Sequence, residues 1–213
     1  MSKSKFALAG VLSAFCLAAQ AAPVTFLAAD NAVSSLAQMV NSTAMAANFI
    51  AASGALNVVD FESAIPAGLT ITGGTTTNNS GCGALCGFNT TAGGAFFTSV
   101  FGGSVTFTFA SPVDAFGFYV NGLQTDAVPQ QTITYFDGST TTINMPSSTG
   151  GGGAFVGFVD SGNNIVSVTF NATNDILAFD DLRYGRANPI PEPGSLALVG
   201  LAGLLAAAAR RRA

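Results

Sequence analysis

The 213-residue chain contains no histidine and no tryptophan, and only 8% of its residues are charged. Without histidine, Ser-His and Cys-His nucleophile systems are excluded. Lysine is confined to Lys3 and Lys5, and between residues 22 and 188 the cations are Arg183 and Arg186 against ten acids. A surface so short of positive charge repels a phosphate backbone, which excludes nucleic acid as a partner. The three cysteines are Cys16, Cys82 and Cys86. Two thiols without histidine fall short of a tetrahedral zinc site. What the chain has in quantity is Gly (25 residues) and Phe (18 residues). Its many Phe and Val residues can form a core, so sparse charge does not mean disorder here.

Both ends read as processing segments. Lys3 and Lys5, the apolar run from Phe6 to Ala19 and the small-x-small site Ala19-Gln20-Ala21 have the three-part layout of a secretory signal peptide over 1–21. Phe15 before Cys16 argues against a lipoprotein site. At the other end Pro189, Pro191 and Pro193 forbid helix or interior strand, so 186–193 reads as an extended linker. The apolar run from Ser195 to Ala209 would make about 22 Å of helix, short of a roughly 30 Å hydrocarbon core. Arg210, Arg211 and Arg212 would stay on the cytoplasmic side. Segment 194–213 is therefore expected to be a short anchor that holds the exported body temporarily at the inner membrane. An exported compartment permits disulfides, so Cys82 and Cys86 in "SGCGALCGF" are expected to bridge and stiffen their loop, with metal binding or free thiols as the alternatives.

Between the ends, "DNAVSSLAQMVNSTAMAANFIAASG" predicts an N-terminal helical segment within 22–54. Asp30 is its N-cap, and Val33, Leu36, Val40, Ala44, Ala47 and Ile50 form its apolar stripe. From 55 to 185 the texture is alternation: "LNVVDFE", "GLTIT", "GSVTFTFA", "FGFYV", "AFVGFVD", "NIVSVTFN" and "ILAFDDLRY". To these "QTITYFDGSTTTIN" adds two strands around the Asp137-Gly138 turn. Nine or ten short strands with turn-rich spacers predict an antiparallel β-sandwich of jelly-roll type. Segments 73–94 and 145–154 read as long loops of the kind that carry recognition.

The acids cluster in two places. Asp60 and Glu62 are two apart on a predicted strand and share the face opposite Phe61. Adjacent Asp180 and Asp181 are expected to point to opposite faces, which forces one of them inward. A buried carboxylate is costly without a cation or several donors. If the first and last strands lie together, the four acids are candidate ligands of a structural calcium, which takes six to eight oxygens. The alternative is that Arg183 or backbone N–H groups satisfy the inward Asp while the others are solvated. Carboxylate-dependent hydrolysis through either pair is a third reading. Tyr119, Tyr135 and Tyr184 are the rings that could stack on sugars. With no Trp, ordinary packing with the hydroxyl at water is the competing account.

Pro191-Glu192-Pro193, followed by an apolar run and the Arg210–Arg212 cluster, resembles the PEP-CTERM sorting signal of Gram-negative bacteria. The resemblance implies recognition by exosortase, an integral-membrane cysteine enzyme, removal of the tail, and association with the cell surface and exopolysaccharide. The body, a helix followed by "DFES" and a sandwich ending in "FDDLRYG", is similar to other PEP-CTERM cargo domains and, more distantly, to jelly-roll carbohydrate-binding modules. In the latter a structural calcium often joins an early acidic strand to a late one. The expectation is a secreted, non-catalytic sandwich at the outer surface or in the extracellular matrix. A carbohydrate-binding module recognising exopolysaccharide through the long loops is the second expectation.

Overall fold

The computed structural model describes residues 24–79, 81, 83–90, 94–124, 130–146, 148–171 and 175–188. The signal peptide, the sorting tail and Cys82 lie outside these residues. The chain runs through strand β1 (Val24–Asp30), helix α1 (Val40–Ser53), β2 (Asn57–Val59), β3 (Leu69–Thr72), β4 (Gly74–Thr77), β5 (Phe96–Ser99) and β6 (Ser104–Val113). It continues through β7 (Ala115–Leu123), β8 (Gln130–Tyr135), β9 (Thr140–Asn144), β10 (Gly152–Val159), β11 (Ile165–Asn171) and β12 (Ala178–Gly185).

One sheet has the order β1-β10-β7-β12-β5-β4, with β2 also paired to β12; the other is β3-β6-β11-β8-β9. Every pairing is antiparallel, and consecutive strands from β5 to β8 and from β9 to β12 cross between the sheets. This is the expected jelly-roll sandwich. The alternation of "GSVTFTFA" sends Val105, Phe107 and Phe109 inward as its period of two requires. There Phe107 of the second sheet meets Phe116 and Phe118 of the first, with ring centroids 6.3 and 5.8 Å apart.

Strands β7 and β10 are buried at every residue. The cause is α1, which packs on the outer face of the first sheet and forms a second core with Phe26, Phe49, Tyr119 and Phe155. A strand covered on both faces has no reason to alternate, and "AFGFYVNGL" and "GGAFVGFV" do not. Glycine lets the helix come this close: a Cβ on Gly157 would stand 2.7 Å from the Phe49 ring.

The N-terminal segment departs from its predicted form. Val24–Asp30 is a sheet strand rather than part of a helical segment, and α1 begins ten residues after Asp30. The buried face of α1 is Ser42, Ala46, Phe49 and Ser53, whereas Val40 (68% exposed) and Ile50 (39%) of the expected stripe face outward. An Ala-rich helix has too little polarity contrast for periodicity to choose its face. Asp30 nevertheless serves the helix start: its carboxylate accepts the N–H groups of Asn41 (3.0 Å) and Ser42 (2.9 Å) from across the chain. The 73–94 segment is also not all loop, because β4 lies within it and pairs with β5.

Candidate functional site

Strands β2 and β12 pair with Val59 opposite Leu182, so both acid pairs stand at the same end of this strand pair. Neither pair adopts the arrangement that alternation predicts. β2 ends at Val59, and Phe61, 3% exposed, has a φ of 60°, so Asp60 and Glu62 do not share a strand face. Asp60 Oδ1 accepts the Glu62 N–H (3.1 Å), and Glu62 Oε1 accepts the Ala95 N–H (2.7 Å).

In β12, Asp180 pairs with Tyr119 but Arg183 pairs with Gly117, so one extra residue is inserted and Asp181 takes a φ of 48°. This β-bulge cancels the up-down alternation. Asp180 and Asp181 therefore converge instead of diverging: the Thr90 hydroxyl lies 2.9 Å from Asp180 Oδ2 and 3.0 Å from Asp181 Oδ2. Asp180, fully buried, also accepts the N–H groups of Thr90 (2.7 Å) and Asp181 (2.8 Å). Backbone and hydroxyl donors, rather than Arg183, satisfy the inward carboxylate. Among the described residues no group of three or more His, Cys, Asp or Glu side chains is placed as a metal-ligand set. A calcium on Asp60, Glu62, Asp180 and Asp181 would have to displace these donors, and elemental analysis of purified protein decides whether one is held.

Burial pushes the Asp180 carboxyl up to about 6, against the opposing pull of the Thr90 and Asp181 donors. Its folded value thus exceeds the unfolded 3.8. A raised carboxyl contributes stability that is fully present below the unfolded value and lost as pH rises through the folded one. The size is roughly 3 kcal/mol between about pH 4 and pH 7. Urea midpoints should fall across that window in the native chain and fall less in Asp180→Asn. Equal slopes in the two proteins would show that Asp180 does not titrate there.

A second site lies where the β8–β9 hairpin meets the β10–β11 turn. The Asp137-Gly138 signal builds the first wall: Gly138 has a φ of 84°, and Asp137 Oδ1 accepts the N–H (2.9 Å) and hydroxyl (2.6 Å) of Ser139. The second wall is "DSGNN", closed by the Asn163 N–H donating to Asp160 O at 3.0 Å. The Phe136 N–H donates to Asn164 O (2.7 Å) and joins the two turns. Between them is a groove of about 420 Å³, lined among others by Tyr135, Phe136, Asp160, Asn163 and Asn164.

Asp160 is 1% exposed, and its Oδ2 accepts the Tyr135 hydroxyl at 2.7 Å. Its Oδ1 is buried without a partner among the described residues. Burial, and then the bond to Asp160, push the Tyr135 hydroxyl up to about 12, so it stays a donor at neutral pH. Phe136 is 74% exposed beside this buried polar pair. Arg186 closes one side, donating to Asn164 Oδ1 (2.6 Å) and Asn163 O (3.2 Å) and pairing with Asp114 at 3.5 Å.

Of the three candidate tyrosines, Tyr135 is the one that reaches a groove; Tyr119 packs under α1, and Tyr184 stacks on Phe109 with centroids 5.3 Å apart. The sequence reading missed Phe136, Asp160, Asn163 and Asn164. An apolar ring directly before Asp-Gly at a hairpin tip was the available signal.

The chain's exit is also fixed. Beyond the Arg186 contacts, Ala187 N–H donates to Asp114 Oδ1 (2.6 Å) and Asn188 N–H to Ser53 O (2.9 Å). The first part of the expected linker is therefore bonded to the body, and only Pro189 and Ile190 separate it from Pro191. Cys86 is disulfide-bonded, while Cys82, its expected partner, lies outside the described residues.

Residues 189–212 match the family model of the PEP-CTERM protein-sorting motif. The comparison with curated proteins returns no match. Solved structures of similar shape include a point variant of a family 29 carbohydrate binding module, with 13% identity over 66% of this chain and 99% of that one and a TM-score of 0.40. A further family 29 variant has 14% identity over 65% of this chain and 98% of that one, with a TM-score of 0.40. The CBM22-1 xylan-binding domain from Paenibacillus barcinonensis Xyn10C has 13% identity over 64% of this chain and 98% of that one, with a TM-score of 0.41.

Proposed function

We propose that this chain, which ends in a PEP-CTERM sorting motif, is a non-catalytic β-sandwich delivered to the outer surface or extracellular matrix by exosortase-type processing. The motif marks a secreted protein processed at the membrane. The observation that carries the reading is its position: it begins at residue 189, directly after Asn188, whose N–H donates to Ser53 O of the folded body. The body can thus fold outside the membrane while the motif is held at its edge for the enzyme. Among the described residues no helix is long and apolar enough to cross a membrane; on this reading the transient anchor is the 194–213 tail. A non-catalytic role is supported by the engagement of both predicted acid pairs with hydroxyl and backbone donors.

Mass spectrometry of the intact secreted protein tests this. Mature material should lack Arg210–Arg212, and Pro191→Ala or Glu192→Ala should leave a full-length membrane-bound form. Secreted protein that retains the three arginines would sink the proposal.

A second reading, a body that binds extracellular polysaccharide, is favoured by one observation: the groove beside Phe136 combines an exposed ring with a buried carboxylate oxygen that has no donor among the described residues. On this reading the binding surface is the pair of short turns rather than the long loops.

A further inference from the structure

We infer that the groove between the β8–β9 hairpin and the β10–β11 turn is a subsite for an uncharged saccharide unit. The inference rests on the polysaccharide-binding reading and assigns its place and ligand class. The first argument is the open acceptor. A buried carboxylate oxygen without a donor is destabilising, and a ligand that brings an O–H offsets this. Asp160 Oδ1 is such an oxygen, on a side chain that is 1% exposed and lines the groove. Its partner oxygen accepts the Tyr135 hydroxyl, and Oδ1 is the oxygen left without a donor among the described residues.

The remaining polar groups fit a hydroxylated ligand. Arg186 fixes the Asn164 carbonyl oxygen, which orients that amide and leaves its NH₂ as the donor end. The Tyr135 oxygen, having donated its proton to Asp160, retains acceptor capacity. Alternating donors and acceptors around one concavity are what a ring carrying several hydroxyls can satisfy at once. Phe136 supplies the apolar side: an exposed ring on a rigid turn can cover the C–H face of a sugar.

Charge narrows the class. Asp137 and Asp160 both line the groove, and Arg186, the one cation beside it among the described residues, is engaged by Asp114 and the two asparagines. A uronate or sulfated unit would meet net repulsion there. A divalent cation is a poor occupant, because it needs six to eight oxygens and Asp137 Oδ1 already accepts two Ser139 donors. The walls are joined by hydrogen bonds between protein groups, which hold the shape of the groove.

Isothermal titration of the mature secreted protein with neutral gluco-, manno- and galacto-oligosaccharides, and with oligouronates, is the test. At least one neutral series should bind, oligouronates should bind more weakly, and Phe136→Ala should weaken the neutral ligand about tenfold while its melting temperature stays native. Asp160→Asn should weaken it at least as much, with the melting curve reporting any folding defect at this buried position. Neutral binding that survives Phe136→Ala unchanged would overturn the subsite and leave the polysaccharide-binding reading standing elsewhere on the body. Oligouronates binding more tightly than neutral sugars would overturn the ligand class. Absence of binding to every saccharide tested, at millimolar ligand, would overturn both the subsite and the reading it rests on.

Discussion

Phe118→Ala should cost roughly 3–5 kcal/mol of folding stability, the range for deleting a buried ring from a packed core. Phe118 sits at the centre of the sandwich with 0% exposure. Its ring touches four others: Phe116 at 5.1 Å, Phe179 at 5.4 Å, Phe107 at 5.8 Å and Phe170 at 6.0 Å between centroids. Two of these belong to the first sheet and two to the second, so this side chain joins the layers. The surrounding rings are rigid, and their strands are bonded on both sides, which limits collapse into the space left behind. With total stability for such a domain of about 5–15 kcal/mol, one substitution removes a large share. Urea unfolding should show a much lower midpoint, whereas Phe136→Ala on the surface should stay within about 0.5 kcal/mol of native. A loss below about 1.5 kcal/mol for Phe118→Ala would mean that the two sheets are not held together through these rings.

What the sequence made legible follows from where alternation is enforced. A strand with one wet face must alternate, and "GSVTFTFA" and "NIVSVTFN" were readable for that reason. All nine strands named from sequence are present, but β1, β4 and β5 were not among them. "GTTT" and "FFTS" are four residues each, too short for a period to register, and "VTFLAAD" runs into an Ala-rich stretch that reads as helix. The bulge at Asp180-Asp181 was invisible because it depends on a left-handed aspartate, which no composition rule signals. The groove was hidden for a different reason: Tyr135 ends β8 and Asp160 opens the turn after β10, 25 residues apart, and the register of β8 on β11 brings their turns together. Its visible parts were the Asp137-Gly138 turn and Tyr135 as a candidate ring. The sorting motif, by contrast, is read as a linear string, so it needs no fold to be recognised.

Asp30→Ala should destabilise the body by about 3 kcal/mol, because it removes the acceptor on which the start of α1 depends. One carboxylate takes four donors: the N–H and side-chain amide of Asn41 at 3.0 and 2.9 Å, and the N–H and hydroxyl of Ser42 at 2.9 and 2.6 Å. Ser42 is fully buried, so water cannot replace the lost partner. Two stranded donors cost about 1–3 kcal/mol each, and the helix also loses an anion at its positive end, worth about 0.3–1 kcal/mol. For a domain of this size the melting temperature should drop by roughly 6–12 °C. Asp30→Asn, which keeps one acceptor oxygen, should lose less. The acid side of the stability profile gives an independent check. Burial pushes the Asp30 carboxyl up, but the Ser42 and Asn41 donors outweigh it and hold it below the usual carboxylate range. A lowered carboxyl contributes stability that is present above its unfolded value and lost as pH falls through the folded one, the opposite of Asp180. Native protein should therefore lose this contribution below about pH 4, and Asp30→Ala, which never had it, should show a shallower acid limb. Parallel acid limbs in the two proteins would mean that the charge of Asp30 does not hold the helix, and that its contribution is packing alone.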